Sequence, residues 1–169
     1  MSLELAGRAR RLGDDINTDY IITSARKRET LDGALLKKYL LETLDPTFAA
    51  SVREGDVLVA GRNFGCGSAM EVAATVILAA GIRVVLAASF SRTFYRNAIN
   101  NGLLPVQCET AEIGEGNQLV ISLHDDRIAV TNLSNGAQTN GVALPNIMRE
   151  ILEAGGLVAY LRQHGGFGA

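Results

Sequence analysis

The feature that most constrains this chain is an alternation of short apolar runs with helix-like segments in its middle third. Residues 56–60 and 83–88 have the continuous apolar character of strands buried on both faces, and residues 103–106 form a third such run. The segments between them, 70–80 and 91–100, have helical length, and a glycine follows soon after each. This order of strand, helix, strand, helix and strand predicts an α/β fold with a parallel sheet core and right-handed crossovers.

The flanking segments predict additions to that core. Residues 3–12 suggest a short strand, and residues 118–123 and 127–131 suggest a hairpin, so we expect a small antiparallel β appendage. Residues 31–43 carry leucines on one face and predict a helix, whereas the basic segment 23–30 predicts an exposed loop. The remaining predictions are a β-like run at 20–22, a helical turn at 47–52, turn-rich sequence at 132–142, and helices at 145–153 and 157–163.

Length and composition limit the class of protein. The chain has 169 residues, 47% of them hydrophobic, and we expect a single domain over residues 1–169 with a sizeable core. The net charge of −2 gives no support to a nucleic acid or an acidic membrane surface as partner. No apolar run is long enough to span a bilayer and no signal-peptide pattern is present, so a cytoplasmic protein with reduced thiols is expected.

The two cysteines of the chain, Cys66 and Cys108, are too few for a disulfide framework or a four-thiolate metal site, and we expect no metal ligands.

The strongest chemical signal is the glycine-rich loop at residues 61–68, between a predicted strand and a predicted helix. Gly65 and Gly67 allow tight turns, and the start of a helix presents unpaired N–H groups that favour a bound phosphate or carboxylate. Ser68 is predicted at or near the helix N-cap. The loop lacks the Lys-Ser/Thr pair of a P-loop and the third glycine of a dinucleotide fingerprint. Two interpretations remain: Ser68 only caps the helix, or its hydroxyl acts beside a bound anion.

Arginines provide the candidate anion contacts. Arg26, Lys27 and Arg28 could clamp a carboxylate, to which arginine offers a planar guanidinium, or they could belong to a solvated basic loop. Arg92 and Arg96 lie four residues apart on one predicted helix face, where they could pair with acidic groups or a ligand. The sequence leaves these alternatives open.

Three segments, in this order, resemble a known family: GDDINTDYII at 13–22, GRNFGCGS at 61–68 and SFSRTFYRNAINNG at 89–102. The chain is similar in these segments, and again over residues 147–161, to the small subunits of 3-isopropylmalate dehydratases, the swivelling domain of the aconitase superfamily. The resemblance covers most of the chain. It implies a swivelling β/β/α fold and a role in leucine biosynthesis.

The resemblance also implies the chemistry and the partners. A separate large subunit would hold a [4Fe–4S] cluster whose open iron is the Lewis acid, with no cofactor bound by this chain, and the substrate would be a small hydroxycarboxylate. Ser68 would be the general base that removes a carbon-bound proton, with stabilisation from Gly65, Gly67 and the amides that follow. The loop at 23–30 would influence substrate choice through Arg26 and Arg28. The exposed half-site would favour self-association of the isolated chain.

One departure from the family pattern bears on the substrate. Where the family has Ser-Ser-Arg-Glu-His, this chain has Ser68-Ala69-Met70-Glu71-Val72, so the substrate-binding arginine is replaced by methionine. Three hypotheses follow. The substrate could differ, as in homoaconitate-type or alkyl-malate and dimethylmaleate-type hydro-lyases, with Ala69 and Met70 forming a more apolar wall. The cation could come from Arg26, Arg28 or the partner. The activity could be lost, leaving a non-catalytic, anion-binding regulatory module.

Overall fold

A seven-stranded mixed sheet forms the centre of the fold. The structure is a computed structural model that describes residues 3–166; residues 1–2 and 167–169 lie outside the described part. The strands, in chain order, are β1 (Leu3–Arg11), β2 (Val57–Ala60), β3 (Val84–Ala87), β4 (Leu104–Gln107), β5 (Gln118–Leu123), β6 (Ile128–Asn132) and β7 (Gln138–Gly141). Their spatial order is β4-β3-β2-β1-β5-β6-β7.

Strand β1 joins a parallel half of the sheet to an antiparallel half. It pairs in parallel with β2, with Ala9 opposite Val57, and β2, β3 and β4 continue in parallel. Its other edge pairs antiparallel with β5, which is followed by β6 and β7. The α/β prediction, with a parallel core and added antiparallel strands, is therefore confirmed. The antiparallel strands continue the main sheet, because β1 offers both of its edges for hydrogen bonding.

Short helices surround this sheet. Within residues 3–166 they are α1 (Thr18–Ile21), α2 (Ser24–Glu29), α3 (Gly33–Leu36), α4 (Phe48–Ser51), α5 (Val72–Ala79), α6 (Arg92–Asn101), α7 (Asn146–Glu153) and α8 (Leu157–His164), with a 3₁₀ turn at Lys37–Tyr39. None of these helices has both the length and the apolar composition that a membrane crossing requires.

Apolar side chains fill both faces of the parallel strands, as expected for strands covered on two sides. Leu58 and Val85 pack on one face with buried residues of α1 and α5. Val57 and Leu86 pack on the other face with Ile151 of α7 and Tyr160 of α8. The continuous apolar runs in the sequence therefore correspond to strands buried on both sides.

Several local predictions are wrong, and side-chain capping explains two of them. Residues 20–22 belong partly to α1 instead of a strand, because the Asn17 side chain accepts a hydrogen bond from the Asp19 N–H at 2.9 Å and starts a helical turn. Residues 24–29 form α2 where a loop is expected, because the Thr23 hydroxyl caps the helix. Four of these six residues are exposed as expected, but Lys27 is buried. Both segments are short enough that one cap decides their conformation.

Two further differences come from tertiary packing. The predicted helix at 31–43 breaks up after α3, and Leu41 has a φ of 57°, because Leu36, Leu40 and Leu41 all point into the core while Leu31 is 65% exposed. The turn-rich segment at 132–142 contains the edge strand β7, whose polar residues carry no strand pattern and are held by pairing with β6.

Candidate active site

Three loops meet at one edge of the sheet because β1, β2 and β3 run parallel. Each loop directly follows the carboxyl end of its strand: residues 13–19 follow β1, residues 61–68 follow β2 and residues 89–91 follow β3. The carboxyl edge of a parallel sheet is where α/β proteins bind their ligands. These are the three segments that carry the sequence resemblance.

The glycine-rich loop 61–68 is bound along its length to the loop at 13–19. The connections are mainly backbone hydrogen bonds, and they alternate in direction as in a short ladder. They run from Gly61 N–H to the Gly13 carbonyl (3.1 Å), from Asp15 N–H to Arg62 (2.8 Å), from Gly65 N–H to Ile16 (2.8 Å) and from Thr18 N–H to Cys66 (2.8 Å). The glycine loop is therefore a rigid part of the fold.

Gly65 and Gly67 are required by this arrangement. Their φ values are +81° and +94°, in the left-handed region that glycine adopts without strain. A Cβ on Gly65 would lie 2.3 Å from the Phe94 side chain, and one on Gly67 would lie 2.5 Å from Asn17 Oδ1. Both glycines allow the loop to approach its neighbours more closely than any side chain permits.

The third loop supports the glycine loop from the β3 side. Phe64 N–H donates to the Ser89 carbonyl and Ser91 N–H donates to the Phe64 carbonyl, both at 3.0 Å. The Ser91 hydroxyl donates to the Gly65 carbonyl at 2.8 Å and also caps α6. The glycine loop is therefore held on both sides before it reaches Ser68.

Ser68 is exposed at the end of this supported loop. Its carbonyl accepts a hydrogen bond from the Thr18 hydroxyl at 2.9 Å, which fixes the backbone and leaves the Ser68 hydroxyl without a partner among residues 3–166. The prediction that Ser68 caps the next helix is wrong: α5 begins at Val72, and the residue before it, Glu71, makes no capping bond. Ser68 therefore has no helix-capping role.

The backbone N–H groups next to Ser68 in the chain are unpaired within residues 3–166. The amides of residues 67–70 donate to no acceptor within the described residues 3–166. The Gly65 amide, in contrast, already donates to Ile16, so it is not available to an anion as predicted. Free N–H groups on an irregular loop bind carboxylates and stabilise oxyanions. The exposed part of the loop, from Gly67 onwards, is the candidate anion site.

A groove of about 350 Å³ lies beside the loop. Ala69 is exposed and Met70 is half-buried in its wall. The groove is lined by Leu31, Ala69, Met70, Glu71, Val72 and Thr75. Most of these side chains are apolar, in agreement with the apolar wall expected from Ala69 and Met70.

The two arginines predicted for substrate binding differ in their surroundings. Arg26 donates to both carboxylate oxygens of Glu42, at 3.0 and 3.3 Å, and stacks on Tyr39 with its guanidinium carbon 3.6 Å from the ring centre. The hydrogen bond to Glu42 raises the pKa of Arg26. Arg28 is exposed and has no ion pair or hydrogen bond within residues 3–166. Arg26 therefore already has a carboxylate partner, whereas Arg28 is free to bind one.

Lys27, which the sequence groups with Arg26 and Arg28 as a possible carboxylate clamp, is the basic residue of this segment that faces inwards. Its ammonium lies 3.0 Å from Asp19 Oδ1 and 2.9 Å from the sulfur of Met70. Hydrogen bonds from Lys27 and then Ser24 lower the pKa of Asp19, so its carboxyl is ionised at neutral pH. No sequence pattern separates Lys27 from the flanking arginines, because only the fold of α2 determines which of the three is buried.

The thiols of this chain do not fit an iron–sulfur cluster. Such clusters take cysteine thiolates as ligands, usually four. Burial raises the pKa of Cys108 to about 11, which disfavours its thiolate, and Cys66 is the only other cysteine. No group of three or more histidine, cysteine or acidic side chains among residues 3–166 is arranged to hold a metal ion.

A second cleft, of about 470 Å³, lies next to the loop that follows β3. Arg92 and Arg96 both reach it from α6, and neither has an ion pair within residues 3–166. Burial raises the pKa of Tyr95 in the same wall, so its hydroxyl stays protonated at neutral pH. The predicted arginine pair is thus unpartnered and faces open space.

Comparison with known proteins gives consistent matches. The model of the aconitase C-terminal domain matches residues 24–111. The 3-isopropylmalate dehydratase small subunit 1 of Methanopyrus kandleri is 45% identical over 163 residues, which cover 95% of this chain and 94% of that protein. The methanogen homoaconitase small subunit of Methanocaldococcus jannaschii is 44% identical over 159 residues, which cover 94% of this chain and 92% of that protein.

A solved structure agrees with these sequence matches. The crystal structure of 3-isopropylmalate dehydratase from Methanocaldococcus jannaschii matches with a TM-score of 0.86 and 40% sequence identity, covering 95% of each chain. The mixed sheet and its flanking helices are therefore the fold of that protein, and the match extends over nearly the whole described chain.

Proposed function

The chain belongs to the aconitase C-terminal domain family, and from this premise we propose that it is the small subunit of a hydro-lyase of the 3-isopropylmalate dehydratase type, in leucine biosynthesis. Such an enzyme removes water from a hydroxy acid and adds it back with the hydroxyl on the neighbouring carbon. The observation that carries the proposal is the exposed Ser68 at the end of a rigid loop, among backbone N–H groups without partners in residues 3–166.

Ser68 is the proposed general base. In its alkoxide form it takes the proton from the carbon next to the one that carries the hydroxyl, and the electron pair of that C–H bond forms the new double bond. The hydroxyl leaves with its own bonding electrons, which would be accepted by the Lewis acid that the partner subunit supplies. A serine hydroxyl is a weak base in water, so it needs nearby donors that stabilise its alkoxide form. The free N–H groups at 67–70 provide such donors, and a partner that covers the site and excludes water would strengthen them.

The proposed substrate is a small hydroxycarboxylate with an alkyl substituent. Two observations favour it: the free amides suit a carboxylate, and the adjacent groove wall is largely apolar, including Met70 where the family pattern has arginine. A homoaconitase small subunit is a second candidate, because a protein of that name is about as similar to this chain as the dehydratase subunit is. An alkyl-malate or dimethylmaleate hydro-lyase fits the same groove.

The proposed assembly is a complex with a large subunit that holds the [4Fe–4S] cluster of the enzyme. The name "small subunit" of the relatives and the unsuitable thiols of this chain both support that division. In the complex this chain acts as one swivelling domain, and we expect the isolated chain to self-associate through its exposed half-site when the partner is missing. We place the complex in the cytoplasm, where the free thiols Cys66 and Cys108 would stay reduced.

Replacement of Ser68 by alanine tests the proposed mechanism. The chain is expressed with its large subunit without oxygen, and formation of the unsaturated acid from 3-isopropylmalate is followed by absorbance. We expect Ser68→Ala to lower kcat by at least about a hundredfold, the usual contribution of a general base, with little change in KM.

The matched control is Ser122→Ala, which removes a hydroxyl from β5 whose side-chain contact is with Glu4 at 3.4 Å. This variant should keep wild-type activity. A Ser68→Ala complex as active as the wild type would contradict the proposed base. A wild-type complex that binds the acid and turns over neither 3-isopropylmalate nor homoaconitate would favour the non-catalytic, anion-binding module instead.

A further inference from the structure

The ammonium of Lys27 is buried between one carboxylate partner and one weak, thioether partner. The side chain is 5% exposed, and its polar contacts are Asp19 Oδ1 at 3.0 Å and the Met70 thioether at 2.9 Å. An ammonium carries three N–H donors, and a thioether is a weak acceptor. The contact with Met70 therefore compensates little of the cost of removing the charge from water. The side of the ammonium that faces Met70 is the side on which a stronger acceptor would be stabilised.

Asp19 does not neutralise the Lys27 ammonium on the side that faces Met70. Its carboxylate is 47% exposed and also accepts a hydrogen bond from the Ser24 hydroxyl at 2.8 Å. Water can therefore solvate Asp19 if its contact with Lys27 lengthens. The ion pair has a solvated carboxylate on the outside and a buried cation on the inside, next to Met70.

Met70 separates this cation from the groove beside Ser68. It lies two residues after Ser68, forms part of the groove wall and is half-buried. Its side chain is unbranched with three rotatable bonds, so it can move aside at low cost. Displacement of the thioether would open the ammonium towards the groove.

We propose that Lys27 binds a carboxylate of the substrate, with Met70 as a movable apolar cover, so that the positive charge missing from position 70 is supplied by α2. The inference rests on the proposed function and adds a residue to its binding site. Because an ammonium is a point charge without the two-pronged geometry of a guanidinium, it places less constraint on the orientation of the carboxylate. Together with the apolar lining from Leu31 and Val72, this favours an alkyl-substituted dicarboxylate over a tricarboxylate.

The test compares two variants that break the same ion pair. Lys27→Met removes the cation, whereas Asp19→Asn keeps it. In the complex with the large subunit, Lys27→Met should raise KM for 3-isopropylmalate by about ten- to a hundredfold, the usual effect of losing a charge-assisted hydrogen bond. Asp19→Asn should change KM by less than about threefold. Lys37→Met, on an exposed lysine whose side chain makes no hydrogen bond or ion pair within residues 3–166, is the control for loss of charge alone.

A charge-relocation experiment provides the second arm. Met70→Arg in the Lys27→Met background restores a cation at the position where the family has one, and we expect it to recover most of the lost KM. Equal increases in KM for Lys27→Met and Asp19→Asn would mean that the ion pair is only structural and would overturn the proposal. Wild-type KM in Lys27→Met would overturn it as well.

Equilibrium binding separates this proposal from the proposed reaction. Calorimetric titration of 3-isopropylmalate into the complex measures affinity without turnover. Weaker binding to Lys27→Met than to wild type supports the role of Lys27 even if no product forms, in which case only the assigned reaction fails. Equal affinity of the two proteins, or no binding to either, refutes the role of Lys27.

Discussion

Gly67 is the residue on which the position of Ser68 most depends. Its φ of +94° is unfavourable for any residue with a Cβ, and an added Cβ would lie 2.5 Å from Asn17 Oδ1. The Asn17 oxygen is itself engaged, because it accepts the hydrogen bond from Asp19 N–H that starts α1. A side chain at position 67 would therefore disturb the loop before Ser68 and the helix that leads to Lys27.

Gly67→Ala should reduce both stability and activity. Left-handed strain costs about 1–2 kcal/mol of unfolding free energy. Gly116→Ala is the matched control, because Gly116 has a φ of +81° and nothing within 4 Å of an added Cβ. We expect Gly67→Ala to be destabilised more than Gly116→Ala in denaturant unfolding, because only the Cβ at position 67 also meets Asn17, and to lose at least about tenfold in kcat/KM, unlike Gly116→Ala. Equal activity in the two variants would show that Ser68 tolerates displacement of the loop.

At the scale of single residues, the sequence singles out the residues that share a local motif, but it does not distinguish the basic residue whose position depends on burial. Gly65, Gly67 and Ser68 belong to a motif that is local in sequence, so their juxtaposition does not need the fold. Lys27 meets Met70 across 43 positions, after α1 and α2 have formed on caps that are too short to read as helices. Only the assembled structure separates Lys27 from Arg26 and Arg28.

The strands and helices are likewise predicted well where a local pattern determines them and poorly where tertiary burial does. Strands β2, β3 and β5 are predicted within about a residue at each end, because long apolar or alternating runs determine them. The segment 20–43 is largely mispredicted, because Leu36, Leu40 and Leu41 are buried in the core, where α3 packs against α5, and no periodicity records this. The site loops are well placed since they follow the parallel strands directly, whereas the burial of Lys27 of α2 against Met70 depends on the assembled fold.

Helix α6 and the glycine loop are coupled through a single hydroxyl. Ser91 Oγ accepts the Phe94 N–H at 3.3 Å as the N-cap of α6 and donates to the Gly65 carbonyl at 2.8 Å. The helix and the loop are therefore fixed relative to each other at the β3 end of the site.

Ser91→Ala should cost about 2 kcal/mol of unfolding free energy, roughly 1 for the cap and 1 for the bond to Gly65. Thr23→Ala is the comparison, since it removes a cap of the same 3.3 Å length on α2 without a second hydrogen bond, and should cost about 1 kcal/mol. Denaturant midpoints measure both. If the two variants are equally destabilised, the hydroxyl of Ser91 does not support the glycine loop.

At the scale of the whole molecule, the fold depends on β1, which joins the parallel half of the sheet to the antiparallel half. Asp56 lies at this junction. It comes directly before β2, is 3% exposed, and accepts hydrogen bonds from Arg8 of β1 at 2.7 and 3.2 Å and from the Arg53 N–H at 2.9 Å. Burial alone would raise the pKa of Asp56, but the hydrogen bonds from Arg8 and Arg53 and the charges of Arg8 and Arg10 outweigh it, so the pKa is lowered.

A lowered pKa in the folded state makes this junction sensitive to acid. The contribution of Asp56 to stability is fully present above its unfolded pKa of about 3.9 and is lost as the pH falls through the lower folded value. Asp56→Asn removes the charge at every pH and leaves Arg8 partly unpaired, so it should cost about 3 kcal/mol at pH 7. The difference from wild type should shrink steadily below about pH 4 in urea unfolding, whereas Asp126→Asn, in an exposed turn, should match wild type throughout. If the difference stays constant from pH 7 to pH 2, packing and neutral hydrogen bonds hold Asp56 to β1, and its charge adds nothing to the free energy of unfolding.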